Sequence, residues 1–183
     1  MERGLIIGIT AAIILLIAIG FYISNQNNVE SEVNDAIVKM EVKSVFKQGE
    51  KIPVKYTADG RDVNPLLKIS GIPDEAESLV LIVDDPDAPV GDWVHWLVFN
   101  IPVSTTRIKE NSVPSGVQGT NSWGRNDYGG PSPPSGTHRY FFKVYALDSE
   151  LDLDESASKK DVVKAMQGHI LDKAELMGVY ERK

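Results

Sequence analysis

A chain of 183 residues has room for one domain of ordinary size plus an appendage, and enough length to bury a full core. It contains no cysteine, which excludes a disulfide framework, a thiolate zinc site, a cysteine nucleophile and a lipid-modified cysteine. The formal net charge of -7 comes without any basic cluster, so the footprint of a duplex nucleic-acid binder is missing and no nucleic-acid partner is expected.

Residues 1–4 precede an uncharged apolar segment, Leu5 to Ile23, about as long as the hydrocarbon core of a bilayer is thick. No face of the segment is polar, which disfavours a buried soluble helix. Arg3 lies before it and the uncharged polar run Asn25 to Asn28 follows, a bias that predicts an inside N-terminus and an exported domain. The expectation is a single-pass transmembrane helix over 5–23, holding the domain at the cell membrane and outside the cytoplasm. The alternative is secretion after cleavage near Ala18-Ile19-Gly20, although the apolar run continues through Phe21 and Tyr22. Residues 24–35 are polar and acidic and read as a linker, with the folded domain over 36–183.

Ala36 to Ser44 alternates, with Val38, Met40 and Val42 on one face and Lys39, Glu41 and Lys43 on the other, as a half-exposed antiparallel strand does. After a turn at Gln48-Gly49, Ile52 to Tyr56 reads as a short extended run. Turn chemistry at Ala58-Asp59-Gly60 and Asn64-Pro65 leads to a strand at Leu66 to Ser70. Leu79 to Val83 is a continuous apolar run, the pattern of a strand buried on both faces, and Val94 to Ile101 is a second. The segment from Pro102 to Gly130 is loop-rich, and a loop this long inside a domain is usually functional or wrapped over the core. Tyr140 to Leu147 is another apolar strand. Ser158 followed by Asp161 resembles a capping box, with Val162, Val163, Ala165 and Met166 as an apolar stripe and Gly168 as its end. A second short helix is expected from about His169 to Met177. Close strand spacing with turn signals predicts an all-β sandwich or barrel with these helices at its edge.

The chemistry gathers at two loops. Between the central strands, Asp84, Asp85 and Asp87 are interleaved with Pro86 and Pro89 on a stiffened backbone, and His95 opens the return strand. A lone histidine in an apolar run is more often a satisfied core residue than a ligand. The second loop, Gly130 to Arg139, is proline-rigidified and ends in His138. Its glycines let the backbone approach a small ligand closely, although on composition alone it could be a tight crossover between sheets.

The pairing of DDPDAP and a downstream W-x-H-W with GPSPPSGTHRYFFKVYALD, and the ending GHILDKAELMGVYER, resembles the phosphatidylethanolamine-binding protein family in its prokaryotic branch. The resemblance spans about Ala36 to Arg182. It implies antiparallel sheets in a Greek-key β-sandwich, short C-terminal helices and a small anion-binding pocket at one end. The family's pocket positions match Asp85, Asp87, Pro89, Trp93, His95, Pro134, His138 and Tyr140. The apolar N-terminal segment departs from the usual soluble members.

Two imidazoles and a tyrosine hydroxyl can donate to phosphate or carboxylate oxygens, helped by glycine-flanked backbone. Asp85 would repel an anion unless it accepts from an imidazole N–H, which would orient the ring and favour its charged form, so raised histidine pKa values are expected. Arg139 follows His138 on a strand and points to the opposite face, as an ion-pair partner for Asp87. Asp85, His95 and His138 also have the ligand types of a two-histidine, one-carboxylate metal site, but the closely spaced ligand pair of many such sites is missing. Ser132 or Ser135 with His138 would suit a hydrolase, yet neither lies in a G-x-S-x-G elbow. The resemblance implies a binding protein and not an enzyme, with no cofactor and no metal. Its expected partner is a phosphate-like anion or phospholipid head group. Serine protease inhibition is the second expectation.

Overall fold

The computed structural model describes residues 19–24 and 39–182. The chain divides into two units, Met1–Val38 and Lys39–Lys183. Of the first, residues 19–24 are helical, with Phe21 and Tyr22 exposed. Most of the expected anchor over 5–23, the linker beyond residue 24 and the start of the first strand lie outside the described residues. Among the described residues no helix is long and apolar enough to cross a membrane.

The second unit is built from β1 (Glu41–Lys43), β2 (Leu67–Ser70), β3 (Ser78–Asp85), β4 (Trp93–Pro102), β5 (Arg107–Ile108), β6 (Val117–Gln118), β7 (Thr137–Leu147), α1 (Lys159–Ala165) and β8 (Ile170–Glu181). Two antiparallel sheets result, one in the order β1-β2-β5 and a larger one in the order β6-β4-β3-β7-β8. Within the larger sheet β7 returns by a long connection to lie beside β3. This is the spatial order of a Greek key, with the chain visiting the smaller sheet at β5 on the way.

The continuous apolar run of β3 is buried on both faces because each face meets a different core. Leu79, Leu81 and Val83 pack into the larger core with Leu67 and Ile69 of β2, Trp96 and Val98 of β4, and Phe142 and Val144 of β7. Val80 and Ile82 face the other way, into a smaller core closed by Leu97, Phe99 and Val162 of α1. Every buried side chain on β3 is thus assigned to a face by its parity. Asp85 falls on the face of the larger core and Asp84 on the face of the smaller one, and the two consecutive carboxylates therefore do different work.

One irregularity sets the site. Val83 pairs with Trp96 but Asp84 pairs with Val94, so His95 is an extra residue in β4. Across this bulge the alternation of β4 breaks, with Val94 in the smaller core and Trp96 in the larger one. The bulge turns His95 to the same side as Asp85, as bulges beside functional sites commonly do. A second shift, around Asn100 with its left-handed φ of 53°, relieves the register further along the same pair.

Two local expectations are corrected. The run Ile52 to Tyr56 is not a strand: an isolated bridge at Lys51 precedes it and a single 3-10 turn, Val54–Tyr56, follows that bridge, because Pro53 has no amide proton to continue a ladder. The second C-terminal helix is instead β8, a strand of 12 residues paired along the length of β7. Ala-Glu-Leu-Met has good helix propensity, but Ala174, Leu176, Gly178 and Tyr180 are buried at a spacing of two, and the ladder with β7 overrides the local preference. Helix α1 does start at the expected cap. The Ser158 side chain accepts from the Asp161 amide, and the Asp161 carboxylate accepts from the Ser158 amide.

Candidate functional site

β3 and β7 deliver the first half of the site. Asp84 pairs with Phe141, so Asp85 comes next to Tyr140, and His138 lies two residues from Tyr140 on the same face. Asp85 Oδ2 stands 2.7 Å from His138 Nδ1, and its Oδ1 accepts the backbone N–H of Asp87 at 2.8 Å. Both oxygens of this buried carboxylate are therefore engaged, one orienting the imidazole and the other turning the loop that follows.

The bulge in β4 delivers the second half. His95 Nδ1 lies 2.7 Å from the carbonyl oxygen of Gly129, and the Gly129 amide donates to the His95 carbonyl at 2.9 Å. The loop 121–130 is strapped along this strand end. Ser122 donates its amide to the Val94 carbonyl and accepts the Val94 amide on its hydroxyl. The Asn121 side chain accepts the amides of Trp123 and Arg125, which shapes the turn carrying Trp123. Trp123 then meets the His95 ring edge-on at 5.1 Å and Trp93 at 5.3 Å.

Burial pushes the His95 pKa below its ordinary value of 6.5, against the opposing pull of the Gly129 carbonyl and the Asp85 and Asp84 charges. This corrects the expectation of a raised value. The residue is 2% exposed, and the cost of desolvating an imidazolium exceeds what its neighbours return. Burial also raises the Tyr140 hydroxyl, with the nearby Asp85 charge adding to it, so that phenol keeps its proton.

A cleft of about 200 Å³ opens between these rings. It is smaller than the ~300–1,000 Å³ of sites that enclose a drug-sized molecule. Six of the eight residues expected from the sequence line it: Asp85, Pro89, Trp93, His95, Pro134 and His138. The other two support it from outside. Asp87 is gripped by Arg139, whose Nε and Nη2 reach its two oxygens at 2.9 and 2.6 Å. The guanidinium hydrogen bond holds the Asp87 carboxyl at a pKa of about 2, so its charge is spent at the rim and the expected Asp87–Arg139 pair is present. Tyr140 lies under the two rings, 1% exposed and edge-on to His95 at 5.2 Å. Ala88, Val90, Trp123 and Ser132 complete the lining and were not among the expected pocket residues. A Trp in a glycine-rich loop was the available signal for Trp123.

Among the described residues no hydrogen bond joins Ser132 to either imidazole, and no three His, Asp or Glu side chains converge as metal ligands. Asp85 is already committed to His138 and the Asp87 amide.

On the opposite face of β3, Asp84 Oδ2 accepts Lys143 Nζ at 2.8 Å and Lys159 Nζ at 2.5 Å. Lys159 also reaches Asp92, so the first residue of α1 ties together the two ends of the loop that forms one wall of the cleft. Burial alone would lower the Lys159 pKa, but its hydrogen bonds to Asp84 and Asp92 outweigh this and raise it.

Residues 42–181 match the phosphatidylethanolamine-binding protein family. A UPF0098 protein of Methanothermobacter thermautotrophicus is 52% identical over 143 residues, covering 75% of this chain and 95% of the relative. A UPF0098 protein of Pyrococcus horikoshii is 49% identical over 156 residues, covering 80% of this chain and 78% of the relative. Among solved structures, a Chlamydia trachomatis protein described as a phosphatidylethanolamine-binding protein homolog superposes with a TM-score of 0.77 at 42% identity, over 80% of this chain and 99% of that one. The Escherichia coli protein YbcL, described as a member of the mammalian family, gives 0.74 at 33% identity over 79% and 99%. Matched over most of its length by family, relatives and fold, the chain belongs to the phosphatidylethanolamine-binding protein family.

Proposed function

We propose that the cleft holds a small phosphate-like anion, free or as part of a phospholipid head group, and that the domain binds it without transforming it. The observation that carries this reading is the meeting of His95 and His138 in one small cleft. Each ring has its Nδ1 committed to a fixed acceptor, which leaves Nε2 as its free nitrogen. Asp85 supplies a counter-charge for an imidazolium at His138, and the aromatic and proline walls keep bulk water from competing. Nothing in this arrangement requires a cofactor. A binding role follows from what the residues offer: hydrogen-bonding nitrogens around a cavity, with no hydroxyl positioned by an imidazole for attack.

The same reading places the domain outside the cytoplasm on a single-pass anchor, supported by the apolar run Leu5 to Ile23 and the arginine before it. The membrane is then a standing partner of the chain, and release after cleavage is the alternative. Serine protease inhibition is a second reading, favoured by Val90, which is 77% exposed between Pro89 and Gly91 at the edge of the cleft, as a side chain offered to a protease pocket would be.

Calorimetric titration of inorganic phosphate into the full chain across about pH 5 to 9 tests the binding reading. His95 is held below its ordinary pKa in the empty protein, so an anion that pairs with the charged ring must recruit a proton as it binds. That recruitment becomes harder as pH rises. Affinity is therefore expected to fall through this range, with net proton uptake in buffers of different ionisation enthalpy. Binding that is independent of pH and takes up no proton would overturn the mechanism.

A further inference from the structure

The wall of the cleft formed by Ala88, Pro89 and Val90 belongs to the connection 86–92, which follows the last registered pair of β3 and β4, Asp85 with Trp93. Its middle is a turn closed on itself, with the Gly91 amide donating to the Ala88 carbonyl at 2.9 Å and Gly91 at a positive φ of 98°. Among the described residues, no side chain of 86–92 belongs to either core, so hydrophobic burial does not place this turn. Polar contacts on its two flanks do. On one side Asp87 accepts from the Arg139 guanidinium and from the Arg139 amide, the latter at 3.0 Å, which ties it to β7. On the other side Asp92 accepts from Lys159, the first residue of α1. Lys159 is a fixed bracket, because the helix that carries it is seated. Val162 is buried in the smaller core, Ser158 and Asp161 close the first turn, and the Thr120 amide donates to the Ala157 carbonyl at 2.9 Å. Its Nζ is also held by the buried Asp84 carboxylate. Asp92, with a side chain 45% exposed, hangs the turn on this bracket and is followed directly by Trp93, which lines the cleft.

We propose that Lys159, on a helix outside the cleft, is a positioning residue for ligand binding: through Asp92 it holds the 88–91 turn and Trp93 against the cleft, and so sets the affinity for the anion. This rests on the reading of the cleft as an anion site. The two carboxylates on Lys159 then have separate tasks. Asp84 joins the lysine to the buried face of β3 and serves the fold, whereas Asp92 joins it to the wall and serves the ligand. A wall that withdraws admits water, and water weakens every charge-assisted contact inside the cleft.

Calorimetric titration of inorganic phosphate into the full chain at about pH 6, with thermal melts and nitrogen-15 order parameters of the empty protein, decides this. Asp92→Asn is expected to weaken phosphate binding roughly three- to fivefold, the worth of one partly exposed ion pair. Asp92→Lys, which sets two ammonium groups together, should weaken it about tenfold. Both variants should melt within about 4 °C of the original, because the helix and Asp84 keep Lys159 in place. Asp92→Glu, which can still reach the lysine, should restore most of the affinity. Lys159→Met should lose affinity as Asp92→Asn does and lose stability besides, and adding Asp92→Asn to it should cost no further affinity. In the empty protein the Val90 and Gly91 amides should be ordered in the original chain and lose order in Asp92→Lys. Affinity in Asp92→Lys within twofold of the original would overturn the proposal, as would additive losses in the double variant. Unchanged order parameters in Asp92→Lys would overturn it too, by showing that the ion pair does not place the turn. Failure of phosphate to bind the original chain would overturn the anion-site reading and the affinity claim with it, while lost order in Asp92→Lys would still show that Lys159 places the wall.

Discussion

His138→Ala is expected to weaken phosphate binding by roughly ten- to a hundredfold, from the loss of a charge-assisted hydrogen bond of about 1.5–3 kcal/mol. Two effects act in the same direction. The ring nitrogen that would donate to the anion is removed, and the Asp85 carboxylate loses the partner that stands 2.7 Å from its Oδ2. Asp85 is 3% exposed, so its charge is then left in the wall of the cleft with the Asp87 amide and the Tyr140 hydroxyl to engage it, and it repels an incoming anion more strongly. Calorimetry at about pH 6, with a thermal melt to show that the variant is folded, measures the effect. An affinity within threefold of the original would show that His138 does not contact the ligand.

The second large effect is on stability. Asp84→Ala is expected to destabilise the domain by about 3 kcal/mol, towards the lower end of the ~3–5 kcal/mol seen when one partner of a buried ion pair is removed. Asp84 is 0% exposed and receives two ammonium groups on one oxygen. Its removal leaves Lys143 and Lys159 facing each other. The lysine side chains are 23% and 21% exposed, which lets them reach water and keeps the cost from being higher. The second carboxylate oxygen, Oδ1, is buried without a partner, so the native arrangement already carries an unmet desolvation cost. A chain of this size should lose about 6–12 °C in Tm. Phosphate affinity should change less than threefold, because Asp84 points away from the cleft. A melting temperature within about 2 °C of the original would contradict the ion-pair account.

The sequence made the site easier to find than the backbone that builds it. Leu79 to Val83 and Val94 to Ile101 announce themselves as strands because each face of each strand has a core to meet, and an unbroken apolar run has no other explanation at that length. The Ser158 cap was equally plain, since its hydrogen bonds are local and both partners sit within one helical turn. The orientation of His95 was not legible. Strict alternation puts it on the opposite face from Trp96, and only the bulge against Asp84 turns both to one side. That bulge depends on the register between two strands and leaves no mark in either one alone. The C-terminal segment misled for the opposite reason. Its residues favour a helix locally, and the partner that makes it a strand is β7, which lies more than twenty residues earlier in the chain. The direction of the His95 pKa was misjudged because charge pairs can be guessed from sequence, whereas the depth of burial that outweighs them cannot.

Nitrogen-15 imidazole spectra recorded during a phosphate titration of the full chain test the central claim most directly. The chain has three histidines, and His169 sits outside the cleft, exposed and paired with Asp148 at 2.8 Å, where it serves as an internal reference. The account predicts that the Nε2 signals of His95 and His138 move together and saturate at one phosphate per chain while His169 stays in place. Unmoved His95 and His138 signals, or shifts that His169 shares equally, would contradict it.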